Sequence, residues 1–155
     1  MSLFLKTTKI INEWTDYNNH MNLSYYILVF DKGAEIILSK FNMGEHSAKT
    51  EKKSTMVVET HTTYNNEVKE GEEVDVFISH FDHDKKRLHY KLEMYEKSKN
   101  ILSATTEVLS LYIDLNFRKV SEFEEEKVRI MDQFIKENKS KFKIDNLQFS
   151  NKLKK

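Results

Sequence analysis

With 155 residues the chain has the usual size of one domain, long enough to bury roughly two-thirds of its unfolded surface around one core. Lys plus Arg number 25 and Asp plus Glu number 25, so the net charge is zero and no global field draws the protein to nucleic acid or to anionic lipid. Cysteine is absent, which excludes disulfides, thiolate zinc sites and a cysteine nucleophile together.

From Met1 to Ile11 the apolar residues are broken by Lys6 and Lys9, with no small-residue cleavage site, so a secretory signal is not expected there. No apolar run reaches membrane-spanning length, and a cytoplasmic location without membrane contact is the expectation. Leu3 to Ile11 alternates roughly as a strand with one covered face. From His20 to about Phe41, residues Leu23, Ile27, Phe30, Ala34, Ile37, Leu38 and Phe41 recur at helical spacing. Met21, Tyr25, Leu28 and Ile36 widen that stripe, which predicts a central helix enclosed on more than one side.

Glu45 to Ser54 is polar and reads as an exposed loop. Four strands are predicted next, Thr55 to Tyr64, Glu73 to Phe81, Arg87 to Tyr95 and Ile101 to Ile113, joined by connections short enough to make neighbours antiparallel. In the third of these, Leu88, Tyr90, Leu92 and Met94 share one face and Arg87, His89, Lys91 and Glu93 the other, which predicts one buried and one wet side. Ser121 to Phe142 reads as an amphipathic helix opened by a capping box, Ser121 with Glu124. Ser150 to Lys155 reads as a disordered, solvated basic tail.

A helix of about twenty residues is roughly 30 Å long, and a strand of nine or ten residues at about 3.3 Å each is much the same. One strand, a long apolar helix and four antiparallel strands therefore predict an α+β fold in which a five-stranded antiparallel sheet wraps the helix, with a further C-terminal helix. Residues 1–115 form the wrapped unit, and residues 116–155 a helical extension and basic tail of the same domain.

Three scattered glycines, Gly33, Gly44 and Gly71, cannot build a phosphate-cradling loop, and no serine elbow of the Gly-x-Ser-x-Gly type is present. The chemistry-bearing residues gather instead in one junction, Trp14-Thr15-Asp16-Tyr17-Asn18-Asn19-His20-Met21-Asn22, between the first strand and the long helix. A helix N-terminus offers unpaired N–H groups to a developing oxyanion, and a carboxylate just before it can attack a carbonyl or deprotonate a water. Asp16 is the candidate carboxylate, although Asp16 or Asn19 serving only as the helix cap gives the same pattern. Glu59 and His61 share one strand face, and periodicity leaves open whether it meets the helix or solvent. The run His80-Phe81-Asp82-His83-Asp84 lacks a recognised ligand spacing and reads as a strand end and turn, so no metal or cofactor is expected.

Asp16-x-x-Asn19-His20-x-Asn22, followed by Tyr25 and Tyr26, resembles the Asp-x-x-Gly-His-x-Asn-x-x-x-Tyr signature of hotdog-fold acyl-CoA thioesterases. The likeness continues through Val58-Glu59-Thr60-His61-Thr62-Thr63-Tyr64, Glu67-Val68 with Gly71, Lys86-Arg87-Leu88-His89 and Glu93-Met94-Tyr95, and so spans about residues 5 to 115. Within the superfamily, Glu13-Trp14-Thr15-Asp16-Tyr17-Asn18 is most similar to the betainyl-CoA thioesterases of carnitine degradation. The resemblance implies a catalytic role for Asp16, with His20 and Asn22 orienting the carboxylate, the water or the acyl group. It also implies a homodimer or dimer of dimers that takes an acyl-CoA. Asn19 stands where the family has glycine, a replacement that a left-handed turn tolerates. Asp31, on the long helix where related thioesterases sometimes carry their acid, is the alternative acid or else a structural residue.

A trimethylammonium acyl group is held by aromatic rings and carboxylates. Trp14, Tyr17, Tyr25 and Tyr26 are the aromatic candidates, with Asn19, Glu59 and His61 the other candidate substrate contacts, unless the rings merely pack the core or a subunit contact. A hotdog hydratase or dehydratase using Asp16 and His20, and a non-catalytic acyl-CoA-binding module, are the alternative functions.

Overall fold

The structure, a computed structural model, describes residues 2–155. Strands β1 (Leu3–Lys9), β2 (Lys53–Tyr64), β3 (Glu73–His83), β4 (Arg87–Glu96) and β5 (Ile101–Asp114) form one antiparallel sheet in the order β1-β3-β4-β5-β2. The sheet wraps helix α1 (Leu23–Lys40), as the α+β reading predicts. Helix α2 (Glu45–Thr50), the two-residue strand β6 (Lys119–Val120) on β5 and helix α3 (Glu125–Asn138) complete the regular elements.

Tyr26, Val29, Phe30, Gly33, Ala34 and Ile37 are the buried residues of α1, a single stripe at helical spacing. Gly33 lies at the closest approach to the sheet: a Cβ there would stand 2.9 Å from Val76 Cγ1, so only glycine lets the helix seat on β3 without displacing it. The expectation that α1 is enclosed on more than one side is corrected within the single chain, since Leu23, Ile27, Leu28 and Ile36 are exposed. The neighbouring edge strand β2 exposes Met56, Val57 and Val58 as well.

Other departures from the sequence reading have local causes. Helix α1 starts at Leu23 instead of His20 because the preceding residues are held extended: Met21 donates its N–H to Val68 O at 2.7 Å and Asn22 to Trp14 O at 2.9 Å. The loop expected after Gly44 contains α2, whose first N–H, from Glu45, is taken by the Glu35 carboxylate at 2.7 Å. The capping box is not formed. Ser121 Oγ accepts instead from Lys53 Nζ at 3.0 Å, and Glu124 accepts from the Tyr112 hydroxyl at 2.7 Å while lying 3.2 Å from Lys127.

The largest correction concerns the outer face of the sheet. Predicted wet on β4, it is covered by the segment after α3, so His89 and Glu93 are buried. Lys143 donates its N–H to Ser79 O at 2.7 Å and its ammonium to Glu93 at 2.9 Å. Gln148 and Phe149 donate their N–H groups to Glu107, and Lys154 donates its own to Asp84 at 2.8 Å. The basic tail expected to be disordered is thus docked, with Ser150–Lys152 forming a 3-10 turn.

Under this strap the His80 imidazole is buried 4.9 Å from the His89 ring, and its Nδ1 has no hydrogen-bond partner among the described residues. Burial, then the neighbouring His89, push its pKa down to about 4. The unfolded chain takes up this proton near pH 6.5 and the folded protein only near 4, so the stability it contributes is present above pH 6.5 and lost as pH falls toward 4. At about 1.4 kcal/mol per unit the loss is on the order of 3 kcal/mol. Urea unfolding of wild type and His80→Phe at pH 7 and pH 4.5 checks this: the variant is expected to lose markedly less stability on acidification.

Candidate active site

The junction between β1 and α1 is a closed loop. Thr15 and Met21 form a bridge, Asp16 N–H donates to His20 O at 3.2 Å, and Asn19 N–H returns to Asp16 O at 3.0 Å. Closing the loop requires left-handed backbone at Asn19, where φ is +64°, and asparagine adopts that region more readily than most residues. Asp16 Oδ1 accepts the Asn18 N–H at 2.8 Å, which orients the carboxylate and leaves Oδ2 without a protein partner among the described residues.

At the helix entrance Asn22 is the cap: its side-chain oxygen accepts from Ser24 N–H at 3.0 Å and its carbonyl from Tyr25 N–H at 3.0 Å. This corrects the reading of Asp16 or Asn19 as the cap. Leu23 N–H has no partner among the described residues and is a donor available to an oxyanion. Replacing Asn22 by Ala removes the cap, and thermal unfolding is expected to show a loss of about 1 kcal/mol, or about 2–4 °C for a chain of this size.

Asp16, Asn22 and Leu23, but not Asn19, line one cavity of about 380 Å³ together with Met21, Tyr26 and the turn Tyr64-Asn65-Asn66-Glu67. His20 lines it too, its Nε2 standing 3.5 Å from Glu67 Oε2. The buried Tyr26 ring meets Tyr64 edge to face at 5.2 Å, and the Tyr26 hydroxyl points toward Asn66 O at 3.4 Å. Asp16, His20, Asn22 and Tyr26, distant from the turn in sequence, are therefore brought together with it. Sequence reasoning missed Tyr64, Asn65, Asn66 and Glu67 as site residues. They lie in a strand end and a turn, where periodicity carries no signal about which distant helix they face.

Other candidates fall elsewhere. Trp14 stacks on Tyr25 at 5.9 Å with Lys32 Nζ 5.1 Å above the Trp14 ring, and neither aromatic lines the cavity. Tyr17 is 93% exposed at the loop tip beside Asn19. Glu59 and His61 lie on the outer face: His61 is opposite Glu107 in register, and Glu59 stands 3.8 Å from Lys152 of the strap. A bulge between Val57 and Glu59 sets this phase, turning Val57 and Thr60 toward the helix.

Those two residues line a second, smaller cavity of about 160 Å³ between α1 and the sheet, with Asp31 at its rim among Phe30, Tyr90 and Val108. Desolvation, then the charge of Glu35, raise the Asp31 pKa. A wider hollow of about 530 Å³ along α3 contains none of the sequence-predicted site residues. The His80–Asp84 run is spent structurally: His83 pairs with Asp132 at 2.7 Å, and Asp84 accepts from Arg87, Lys86 and Lys154.

A carboxylate oriented by a backbone N–H thus shares a cavity with the amino end of helix α1, and comparison with known proteins supplies the family. The sequence model of the thioesterase-like superfamily matches residues 12–137. Betainyl-CoA thioesterase of Pseudomonas aeruginosa is 30% identical over 81% of this chain and 80% of its own length. Among solved structures, a hypothetical protein of Staphylococcus aureus in complex with CoA superimposes with a TM-score of 0.81 at 22% identity, covering 100% of this chain and 96% of that one. The 1,4-dihydroxy-2-naphthoyl-CoA thioesterase of Synechocystis gives 0.73 at 13% identity, covering 83% and 95%. The chain belongs to the thioesterase-like superfamily and is a thioester hydrolase of hotdog fold.

Proposed function

We propose that this enzyme hydrolyses acyl-CoA thioesters, betainyl-CoA among them, at the cavity between the Asp16 loop and the Tyr64–Glu67 turn. The observation that carries the reading is an oriented carboxylate with one free oxygen, lining the same cavity as Leu23, the first residue of α1, whose N–H is unpaired among the described residues. Asp16 takes a proton from water as the water oxygen bonds to the thioester carbonyl carbon. Leu23 N–H, favoured by the helix dipole, stabilises the resulting oxyanion. Collapse breaks the C–S bond, and the proton held by Asp16 passes to the departing CoA sulfur, leaving a carboxylic acid and CoA. His20, steadied by Glu67, orients the water or the carboxylate.

The betainyl assignment draws on the similarity to the Pseudomonas aeruginosa enzyme. Assembly as a homodimer or dimer of dimers is supported by the twelve-residue edge strand β2, with its exposed Met56, Val57 and Val58 beside the exposed Ile27 and Leu28 of α1.

Thiol release is the test, read on betainyl-CoA and on short, medium and aromatic CoA esters. Release of free CoA, fastest from betainyl-CoA, is expected. Consumption of an unsaturated ester without thiol release would instead mark a hydratase, and binding without turnover a carrier module.

A further inference from the structure

We propose that Tyr64 and Glu67, with Tyr26 behind them, form a subsite that selects acyl groups carrying a positive charge. The inference rests on the reading of the Asp16 cavity as the thioester site and deepens it by naming the residues that discriminate between acyl groups.

Charge is the first argument. The ionisable side chains lining the cavity are Asp16, His20, Tyr26, Tyr64 and Glu67, and no Lys or Arg is among them. Two carboxylates with no Lys or Arg in the lining make a cavity that repels a carboxylated acyl chain and attracts a cationic one. Lys69 Nζ stands 4.0 Å from Glu67 Oε1, but this exposed ammonium is screened by water and lies outside the cavity lining.

Geometry is the second. Tyr26 is buried and Tyr64 is 48% exposed, so in their edge-to-face contact it is Tyr64 that offers open ring surface. A quaternary ammonium binds best where a ring face and a carboxylate are both in reach, since it has no N–H with which to form hydrogen bonds. The Trp14 ring, the stronger cation binder in chemical terms, already carries the Lys32 ammonium over it.

Rigidity is the third. The turn bearing Glu67 is pinned: Asn65 N–H and Asn66 N–H both donate to Ser103 O at 2.9 and 3.1 Å, and Asn66 Nδ2 donates to Leu102 O at 2.7 Å. Val68, fully buried, anchors the next residue. Glu67 is therefore carried on a backbone fixed before any ligand arrives, the arrangement that lowers the entropic cost of binding.

The experiment compares two esters of nearly identical shape, betainyl-CoA and 3,3-dimethylbutyryl-CoA, in which a neutral carbon replaces the quaternary nitrogen. The readout is the ratio of their kcat/KM values for wild type, Glu67→Gln and Tyr64→Leu, each checked for folding by circular dichroism. Wild type is expected to favour the cationic ester at least tenfold, and each variant to lower that ratio severalfold or more, whatever happens to the absolute rates. If Glu67 serves only His20 or the fold, both esters slow together and the ratio stays put, which overturns the subsite. Equal use of the two esters by wild type also overturns it, while leaving the thioesterase site standing. Failure to cleave either ester would overturn the subsite and the betainyl assignment together, and thiol release from the other CoA esters then decides the thioesterase site on its own.

Discussion

Asp16→Asn is expected to fold normally and to lose thiol-releasing activity by roughly 10²–10⁴-fold, the range that a positioned general base contributes. The substitution is nearly isosteric. An amide oxygen at the same place still accepts the Asn18 N–H that Asp16 Oδ1 now holds at 2.8 Å, so the loop closes and thermal unfolding should hardly move. What the amide cannot do is accept a proton or attack a carbonyl.

Asp31→Asn is the control for this experiment. Desolvation, then Glu35, raise the pKa of Asp31 at the rim of the 160 Å³ apolar cavity, and perturbed carboxylates of that kind recur at functional sites. Two features favour Asp16 all the same. Its carboxylate is oriented by a backbone N–H, and it shares a cavity with the first residue of α1, whose N–H is unpaired among the described residues, whereas Asp31 sits two turns into α1 where the backbone donors are spent within the helix. Loss of activity in Asp31→Asn with retention in Asp16→Asn would transfer the acid to the helix.

Glu107→Ala is expected to have the largest effect on stability. Glu107 is almost completely buried, lies 2.7 Å from His89 Nε2, and accepts the N–H groups of Gln148 at 2.7 Å and Phe149 at 2.9 Å. Burial alone would raise its pKa, but the Gln148 N–H, the His89 ring and the Phe149 N–H outweigh it and hold the carboxyl below its ordinary value. It is therefore the ionised group on which the strap fastens. Its removal leaves these donors facing an apolar gap, and breaking a buried pair of this kind costs about 3–5 kcal/mol. For a chain of this length that corresponds to a fall in Tm of roughly 10 °C. Scanning calorimetry measures it, and limited proteolysis should show earlier cleavage between Lys139 and Lys155. A change below about 2 °C would mean that the strap is held by its apolar contacts, Phe142 and Phe149, instead.

The same residues show why some features were legible in sequence and others were not. The stripe Phe30, Ala34, Ile37 marked α1, and the alternation from Arg87 to Tyr95 marked β4, because both patterns repeat within a few residues of chain. Asn19 betrayed its left-handed turn through its residue type. The Asp16–Asn22 loop was legible as a candidate site because its residues are contiguous and precede a helix. By contrast, the wet face assigned to β4 was wrong. His89 and Glu93 have polar side chains, and nothing local announces that Lys143 to Phe149 will cover them from fifty residues away.

By itself, then, the sequence determined the order and periods of the elements, the α+β wrapping of a sheet around one long helix, the thioesterase resemblance and the position of the Asp16 loop. Tertiary structure alone decided that Asn22 is the helix cap, that Glu59 and His61 face away from the cavity, that Tyr64 and Glu67 complete it, and that the basic tail is docked. The division follows from range. Hydrophobic periodicity and turn chemistry are fixed by neighbours along the chain. A bulge that inverts a strand's phase, or a carboxylate that collects distant N–H groups, exists only once the chain has closed upon itself.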